Sequence, residues 1–377
     1  MKKKIALLLF LALALTTIFT ACNSPDATKI IPRWSTDGES YVYNVTLADF
    51  AESGSTYFNW YDHDGAKYYK DFVIRVGEPL ESMDEVRPIS VTGTYTLTIT
   101  HLAEDKYDRV ETVQDINVSY ALEGGKIKLG NNLFAELTAE LNALVVANDG
   151  NRVTLKSTTE TMVEFNRNDD GKQAPRKSRT EVNGFYIGKV HQEASHYEMT
   201  TTYTYESKST TVESELKRWT GDEVKTEKIT NTLKRYTTGK FIDSNQLFMY
   251  TRSFDKTASS FQDNPTVAVY NPLTQEMQTA SFAFTSAQNA RLTNDNAELY
   301  AKLPTVGVVV GGMPFMLQES APNMLDENNK GADRAEYGTE WYAKHTPVRF
   351  RVGYISFELQ YEDELWNALS DYANKKD

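Results

Sequence analysis

The sequence predicts a mainly β protein, with large antiparallel curved sheets that form a sandwich or an open barrel, built from hairpins with two or three short helices. Three observations support this prediction. Aromatic residues make up 12% of the chain, including 22 Tyr, and tyrosine and threonine fit the half-buried surface of a sheet. Several segments alternate apolar and polar residues with a period of two. The order strand, long helix, strand that is typical of parallel α/β folds does not occur.

Alternation and turn signals in the first part of the chain predict strands at residues 41–47, 57–61, 67–74, 89–100, 110–120 and 126–129. An Asp-Gly turn signal at Asp64-Gly65 joins the second and third of these into an aromatic-rich hairpin. In residues 89–100 one face is apolar and the other carries threonines. Leucines spaced by four, four and three residues predict a helix over 132–142, followed by a strand at 143–147.

The middle of the chain is the most regularly patterned part. Residues 166–179 are predicted to form a charged, mobile loop around Pro175. Residues 196–206 predict a long antiparallel strand that returns through Gly221-Asp222. One face of this strand carries Tyr197, Met199, Thr201, Tyr203 and Tyr205. Such a stripe is typical of ordinary core, and it could also line an apolar or sugar-binding groove.

The character of the sequence changes at Gly239. Asp243 is a candidate N-cap with Gln246 three positions later, and apolar residues at helical spacing follow, so we expect a short helix there. Hairpins are predicted at 266–284 and around Gly311-Gly312.

The last predicted strand covers residues 348–361. Its apolar alternation shifts by one position, which a bulge at Gly353-Tyr354 would correct. Residues 362–376 predict an amphipathic helix with an acidic start and a lysine-rich end.

These features divide the chain into four segments. We expect residues 1–21 to be an N-terminal segment separate from the fold, residues 22–32 a polar tether, residues 33–238 a β-rich domain or half, and residues 239–377 a second β-rich half with short helices, packed on the first.

The N-terminus has the three-part plan of an export signal. Three lysines precede an apolar run over residues 5–15, which is too short to span a bilayer, since spanning needs about 20 residues. The local sequence Phe19-Thr20-Ala21-Cys22 resembles the lipobox of bacterial lipoproteins. The resemblance implies that Cys22 receives a diacylglycerol, with fatty acyl chains such as palmitate, and becomes the new N-terminus. It also implies a lipid anchor on the extracytoplasmic side of a membrane of the bacterial cell envelope.

Charge and cysteine content limit the possible partners. Cleavage before Cys22 removes 21 of 377 residues, leaves 356, and changes the formal net charge from −12 to −15 by removing three lysines. Such an acidic chain argues against nucleic acid as a partner. Cys22 is the only cysteine, so packing rather than disulfides must stabilise the domain.

The chain shows no motif for a metal, a cofactor or a catalytic group. The five histidines are His63, His101, His191, His196 and His345. His191 and His196 would lie on opposite faces of a strand, no His-Glu-x-x-His pattern occurs, and His101 is expected to be a hydrogen-bonded border residue. The acidic residues near residues 62–64 and 169–170 lack the spacing of a calcium loop. Ser253 and Lys256 match Ser-x-x-Lys without the rest of the penicillin-binding signature.

The sequence therefore favours a non-enzymatic envelope lipoprotein that binds a hydrophobic molecule, a cell-wall glycan or another envelope protein. The alternative is an extracytoplasmic hydrolase acting on glycan or ester substrates with a carboxylate pair that the sequence does not reveal. A solute-binding lipoprotein of an importer is disfavoured, because such proteins consist of two α/β lobes.

Overall fold

A computed structural model describes residues 31–32, 39–47, 88–102, 106–167, 172–188, 192, 194–220, 223–234, 241–252, 266–272, 275–284, 288–289, 304–311, 315–322, 345–352 and 355–360. No helix within these ranges is long and apolar enough to cross a membrane.

The described chain is almost entirely strand. The first ten strands are β1 (Ile31–Pro32), β2 (Glu39–Leu47), β3 (Ser90–Leu102), β4 (Tyr107–Glu123), β5 (Lys126–Gly130), β6 (Leu133–Ala135), β7 (Val145–Asn148), β8 (Arg152–Arg167), β9 (Lys172–Ile187) and β10 (Ala194–Tyr205). The remaining ten are β11 (Ser209–Thr220), β12 (Glu223–Lys234), β13 (Phe241–Ile242), β14 (Thr266–Asn271), β15 (Glu276–Phe284), β16 (Gln288–Asn289), β17 (Pro304–Gly311), β18 (Phe315–Pro322), β19 (His345–Val352) and β20 (Ile355–Leu359). The helices are α1 (Ala139–Asn142) and α2 (Leu247–Arg252), the second preceded by a 3-10 turn at Ser244–Gln246.

One large sheet contains most of these strands. The backbone pairs run in the order β12, β11, β10, β9, β8, β4, β3, β2, β20, β19, β18, β17, β15, β14 and β13. All these pairs are antiparallel except β13 with β14. Among the described strands no backbone pairing joins β12 to β13, so the sheet is open. The predicted fold class is confirmed.

Side chains at the two ends of this sheet nevertheless meet, so the sheet must curl. Tyr203 on β10 packs edge-to-face on Tyr270 of β14, with ring centroids 6.4 Å apart. Asn231 on β12 donates a hydrogen bond to the Tyr270 hydroxyl at 2.8 Å. Val212, Leu233 and Phe241 complete this apolar cluster. The curled sheet thus has an inner face and an outer face.

The main core lies on the inner face of β2, β3, β4, β8 and β20. The period of two predicted for residues 89–100 is confirmed there, because Val91, Leu97 and Ile99 are buried. Gly93 lies between them where β3 and β4 approach closely. A Cβ at this position would lie 2.2 Å from the Asp115 carbonyl oxygen, so only glycine fits.

The helix predicted over residues 132–142 is wrong for most of its length. Leu133–Ala135 is β6, which pairs with β5, and only Ala139–Asn142 is helical. Asn132 has a positive φ of 60°, which ends any helix at that point, and Thr138 is the actual N-cap. The leucine spacing reflects burial of a hairpin and a helical turn against the same core.

The charged loop predicted over residues 166–179 is also wrong. β8 extends to Arg167 and β9 begins at Lys172, and the two strands form a long hairpin. Pro175 enters this ladder at a register shift between Glu164 and Phe165. A bulge accommodates proline because its missing N–H is then not needed in the ladder.

Two predicted chain reversals differ in the structure. The strand at residues 196–206 is confirmed as β10, but it returns at residues 206–208 into β11, which pairs in turn with β12. The bulged strand predicted over 348–361 is instead two strands, since Val352 pairs with Ile355 across an antiparallel ladder. Because Val352 and Ile355 are direct cross-strand partners, they lie on the same face, and the apolar alternation shifts by one position just as it would at a bulge.

The other predicted elements divide into two groups. The hairpins at 266–284 and around Gly311 are confirmed as β14–β15 and β17–β18. The hairpin at 57–74, the C-terminal helix at 362–376, the pair Ser253 and Lys256, and the signal peptide with Cys22 lie outside the described residues. The boundary at residue 239 stays a prediction.

Candidate functional site

The two faces of the sheet differ sharply in chemistry. The outer face of β4, β8, β11 and β12 carries ion pairs between neighbouring strands, such as Arg109 with Glu164 at 2.6 Å and Lys228 with Glu215 at 2.7 Å. The hydrogen bond from Lys228 lowers the pKa of Glu215. Exposed pairs such as Lys228 with Glu215 keep a sheet surface hydrated and contribute little stability. A binding site is therefore to be sought on the inner face.

A line of five hydroxyl side chains crosses the inner face, which we call the hydroxyl row. Each member is the direct cross-strand partner of the next. The row consists of Thr112 on β4, Thr161 on β8, Thr180 on β9, Thr201 on β10 and Ser214 on β11. Thr201 and Ser214 are buried and the other three members are half-buried, and buried hydroxyls must find partners within the fold.

The hydroxyls of this row form hydrogen bonds with one another and with a neighbouring side chain of the protein. The Oγ1 atoms of Thr112 and Thr161 are 2.6 Å apart, and Thr201 Oγ1 lies 2.9 Å from Ser214 Oγ. Thr180 Oγ1 donates to Asn245 Oδ1 at 3.0 Å. These hydroxyls therefore have hydrogen-bond partners within the protein.

Beside the hydroxyl row runs a second line of cross-strand partners, which we call the inner strip. It consists of Gln114, Thr159, Val182, Met199 and Leu216. The first four are half-buried, whereas the core residues farther along the same strands, such as Val110 and Val118, are 3% and 2% exposed. Solvent thus reaches the inner face along this strip.

The inner strip is bordered on its other side by Gly184, Tyr197 and Arg218, which are again direct cross-strand partners, with Ser157 of β8 next to Gly184. The ring of Tyr197 lies over Gly184, where a Cβ would be 2.9 Å from the Tyr197 hydroxyl and 3.1 Å from Ser157 Oγ. Glycine at this position lets the aromatic ring lie flat along the sheet. Burial lowers the pKa of Arg218, opposed by the nearby Tyr186.

The helical segment at residues 243–252 closes part of the inner face. Its polar start is anchored on β9, where Asn245 Nδ2 donates to Ser178 Oγ at 2.9 Å. Farther along, Met249 of α2 joins the main core. The segment therefore covers the middle of the hydroxyl row, at Thr180, while leaving the inner strip half-buried.

Asp243 is the predicted N-cap, and the structure confirms this role. Its Oδ1 accepts a hydrogen bond from the Asn245 backbone N–H at 2.9 Å. Its Oδ2 accepts from the Tyr205 hydroxyl at 2.5 Å and from Gln246 Nε2 at 2.8 Å. Burial raises the pKa of Asp243 in spite of these bonds. Burial and the adjacent carboxylate raise the pKa of Tyr205 well above its usual value, so this hydroxyl stays a donor.

A second buried carboxylate, Asp108, is bonded to a histidine. His101 Nδ1 contacts Asp108 Oδ1 across the β3–β4 pair, and the side chain of His101 is 14% exposed. The predicted border role of His101 is confirmed.

His196 lies on the opposite face of the sheet from Tyr197. Its ring stacks on Trp219 with ring centroids 4.5 Å apart, and its Nε2 atom lies 2.7 Å from Asn183 Oδ1.

Within the described ranges no group of three or more His, Cys, Asp or Glu side chains could hold a metal ion. The expectation that the protein uses no metal or cofactor stays a prediction.

The residues of the predicted aromatic stripe have different environments in the structure. Tyr203 belongs to the core, Tyr205 bonds Asp243, and Tyr197 and Met199 lie at the half-buried part of the inner face.

The alternation of residues along β10 predicted which of its side chains share the inner face. The sequence did not predict the hydroxyl row or the position of Arg218 on that face. Each member of the row lies on a different strand, so only the strand register brings them together. Their signal in the sequence is the threonine content at alternating positions, which also suits an ordinary solvated face.

No family model matches this chain, and no curated protein matches it. Among solved structures, the chain is similar to the crystal structure of a beta-barrel-like protein of domain of unknown function DUF1849 from Brucella abortus. The similarity covers 88% of this chain and 97% of that chain, with a TM-score of 0.37 and 11% sequence identity. Function at this level of similarity must be inferred from the chain's own residues.

Proposed function

We propose that this protein is a lipid-anchored extracytoplasmic binding protein of the bacterial cell envelope, and that its inner strip binds an apolar molecule. The anchor is Cys22, as its lipobox-like sequence implies, and two or more acyl chains on one cysteine hold a protein stably at a membrane. The ligand site is the half-buried surface around Val182 and Met199.

The hydroxyls of the hydroxyl row bond to other groups of the protein, and this observation supports an apolar ligand over a glycan. A glycan needs protein groups that can exchange hydrogen bonds with its own hydroxyls. Thr112 bonds Thr161, and Thr201 bonds Ser214, so each of these hydroxyls keeps one hydrogen-bond partner when an apolar ligand covers it.

Asp108 and Asp243, the two carboxylates that are 0% exposed in the described ranges, give little support to the hydrolase alternative. Glycoside hydrolysis commonly needs two carboxylates facing each other across the substrate. Asp108 is instead bonded to His101, and Asp243 to Tyr205 and Gln246. Both have the surroundings of structural carboxylates.

The ligand proposal is tested with N-phenyl-1-naphthylamine, an uncharged probe whose fluorescence rises in apolar surroundings. The purified protein should increase its fluorescence saturably. Met199→Glu places a carboxylate on the inner strip and should abolish the increase, because burying an unpaired charge is costly. Thr202→Glu, on the opposite face of β10 between Arg179 of β9 and Glu213 of β11, is the matched control and should bind normally. Equal binding by both variants would place the probe elsewhere and contradict the proposal.

The anchor is tested by replacing its attachment atom. Cys22→Ser removes the thiol that would carry the diacylglycerol, so the variant should move from the membrane fraction to the soluble fraction. If the variant still sediments with membranes, Cys22 is not the anchor.

A further inference from the structure

We propose that the ligand of the inner strip is an uncharged long-chain amphiphile, whose hydroxyl headgroup bonds Gln114 and Thr159 while its apolar chain lies on Val182 and Met199. This inference rests on the proposed function, because it adds a headgroup site and an orientation to the apolar site described there. Three observations support it: the open polar atoms at one end of the strip, the uncharged side chains around them, and the length of the half-buried surface.

Gln114 and Thr159 differ from the hydroxyl row beside them. They are direct cross-strand partners on β4 and β8, and both are half-buried. In the part of the chain that the structure describes, neither the Gln114 amide nor the Thr159 hydroxyl has a hydrogen-bond partner. Thr112 and Thr161, the next inner pair on the same two strands, are instead bonded to each other at 2.6 Å. The buried side-chain atoms that lack a partner in the described ranges belong to other residues, so the polar atoms of Gln114 and Thr159 are open to a ligand.

The chemistry of this pair suits a hydroxyl headgroup. A glutamine amide has two N–H donors and an acceptor oxygen, and a threonine hydroxyl both donates and accepts. A ligand hydroxyl can therefore donate to the amide oxygen of Gln114 and accept from the hydroxyl of Thr159. The two residues lie at one end of the strip, so they match one polar group rather than the many hydroxyls of a glycan.

The side chains around Gln114 on the inner face are uncharged. Its cross-strand partner on β3 is Tyr95, and its neighbours on the same face of β4 are Thr112 and Ile116. None of them can compensate the charge of a carboxylate or an ammonium group, and burying a charge without a partner is costly. An uncharged headgroup avoids this cost.

The aromatic side chain of Tyr95 closes the strip behind Gln114. Its ring packs edge-to-face on Tyr43 and Phe357, with ring centroids 5.7 Å and 5.4 Å apart. The chain of a ligand whose headgroup lies at Gln114 therefore runs the other way, toward β9 and β10.

The surface in that direction is half-buried and apolar. It crosses Val182 on β9 and Met199 on β10. Three steps of about 4.8 Å between neighbouring strands give about 14 Å from Gln114 to Met199, which an extended alkyl chain can span. Leu216, the next residue of the strip, is 1% exposed, so the surface that a ligand can cover ends at Met199.

The test measures how well 1-dodecanol and dodecanoate displace N-phenyl-1-naphthylamine from the purified protein. The two compounds have the same number of carbon atoms, and at neutral pH only the second is charged. We expect dodecanol to bind at least about tenfold more tightly, because the strip has no partner for a carboxylate at Gln114. Gln114→Leu should weaken the binding of dodecanol about two- to tenfold, which is the range for a neutral hydrogen bond. Without a headgroup site the same substitution would strengthen binding, since leucine adds apolar surface.

Matched variants keep the test decisive. Asn117→Leu makes a similar change on the outer face of β4, where Asn117 pairs with Lys156, and should bind dodecanol normally. Thr159→Val keeps the shape of the side chain, so it should fold even if Gln114→Leu does not, and it should weaken dodecanol about twofold or more. Thr158→Val, on the outer face of β8, is its control and should bind normally.

The outcomes separate the two proposals. If the probe binds but dodecanoate displaces it as well as dodecanol does, the headgroup site is refuted and the apolar site stands. The same conclusion follows if Gln114→Leu and Thr159→Val bind dodecanol as tightly as the unsubstituted protein, or if their outer-face controls weaken it equally. If the probe itself does not bind, the headgroup site and the proposed function are both wrong.

Discussion

The hydrogen bonds within the hydroxyl row lead to a specific prediction for the pair Thr201 and Ser214. The two side chains are 2% and 5% exposed, and their Oγ atoms are 2.9 Å apart. Thr201→Val keeps the shape of the side chain but leaves the Ser214 hydroxyl buried without this partner. We expect a loss of about 1–3 kcal/mol in the free energy of unfolding.

The double substitution distinguishes a paired hydroxyl from a polar group that merely lies nearby. Ser214→Ala alone should cost about as much as Thr201→Val alone, because it leaves the other hydroxyl unsatisfied. Thr201→Val with Ser214→Ala removes both partners and should cost clearly less than the sum of the two single losses, since replacing both groups by apolar ones can be nearly neutral.

Urea unfolding followed by circular dichroism measures these differences. With a slope of about 3 kcal/mol per M, a loss of about 2 kcal/mol lowers the midpoint by about 0.7 M. Thr202→Val, on the opposite face of β10, is the control and should shift the midpoint little. Strictly additive losses in the double variant would refute the pairing, and with it the reason for preferring an apolar ligand.

Two further substitutions test the fold that supports this face. Gly93→Ala should lower the free energy of unfolding by more than about 3 kcal/mol, because the new Cβ would clash with the backbone of Asp115 and Ile116. Gly124→Ala, at a turn with open space around it, is the control and should lower it by only about 1–2 kcal/mol. Equal urea midpoints for the two variants would contradict the close approach of β3 and β4 at Gly93. Asp243 has a pKa raised by burial, so its contribution to stability is fully present below its unfolded pKa and is lost as the pH rises through the folded value. Asp243→Asn should remove this decline, and an unchanged pH profile of thermal unfolding would show that the carboxylate is not buried.

Much of the secondary structure could be predicted from the sequence, because period-two alternation and capping are local. The strand at residues 89–100 and the cap at Asp243 are both confirmed. The prediction was wrong where one pattern fits two structures. The leucines of residues 132–142 suit either a helix or a hairpin followed by a turn, and the shifted alternation near residue 353 suits either a bulge or a two-residue loop.

The candidate site could be predicted only in part. Tyr197 and Met199 were recognisable as one face of a strand, since residues two apart share a face. Thr112 and Thr161 are 49 residues apart in sequence, and nothing local shows that they are neighbours. Arg218 also looked like one charge among many, because its position on the inner face follows only from its pairing with Tyr197.

The most direct test of the account is to map where an apolar ligand binds. A long-chain alcohol carrying a diazirine near the end of its chain is irradiated with the purified protein, and the labelled peptides are identified by mass spectrometry. We predict labels on β9 and β10 at the inner strip, around Val182 and Met199, with loss of labelling in Met199→Glu. Labels confined to the outer face of the sheet, or labelling that survives Met199→Glu unchanged, would contradict the claim that the inner strip is the binding site.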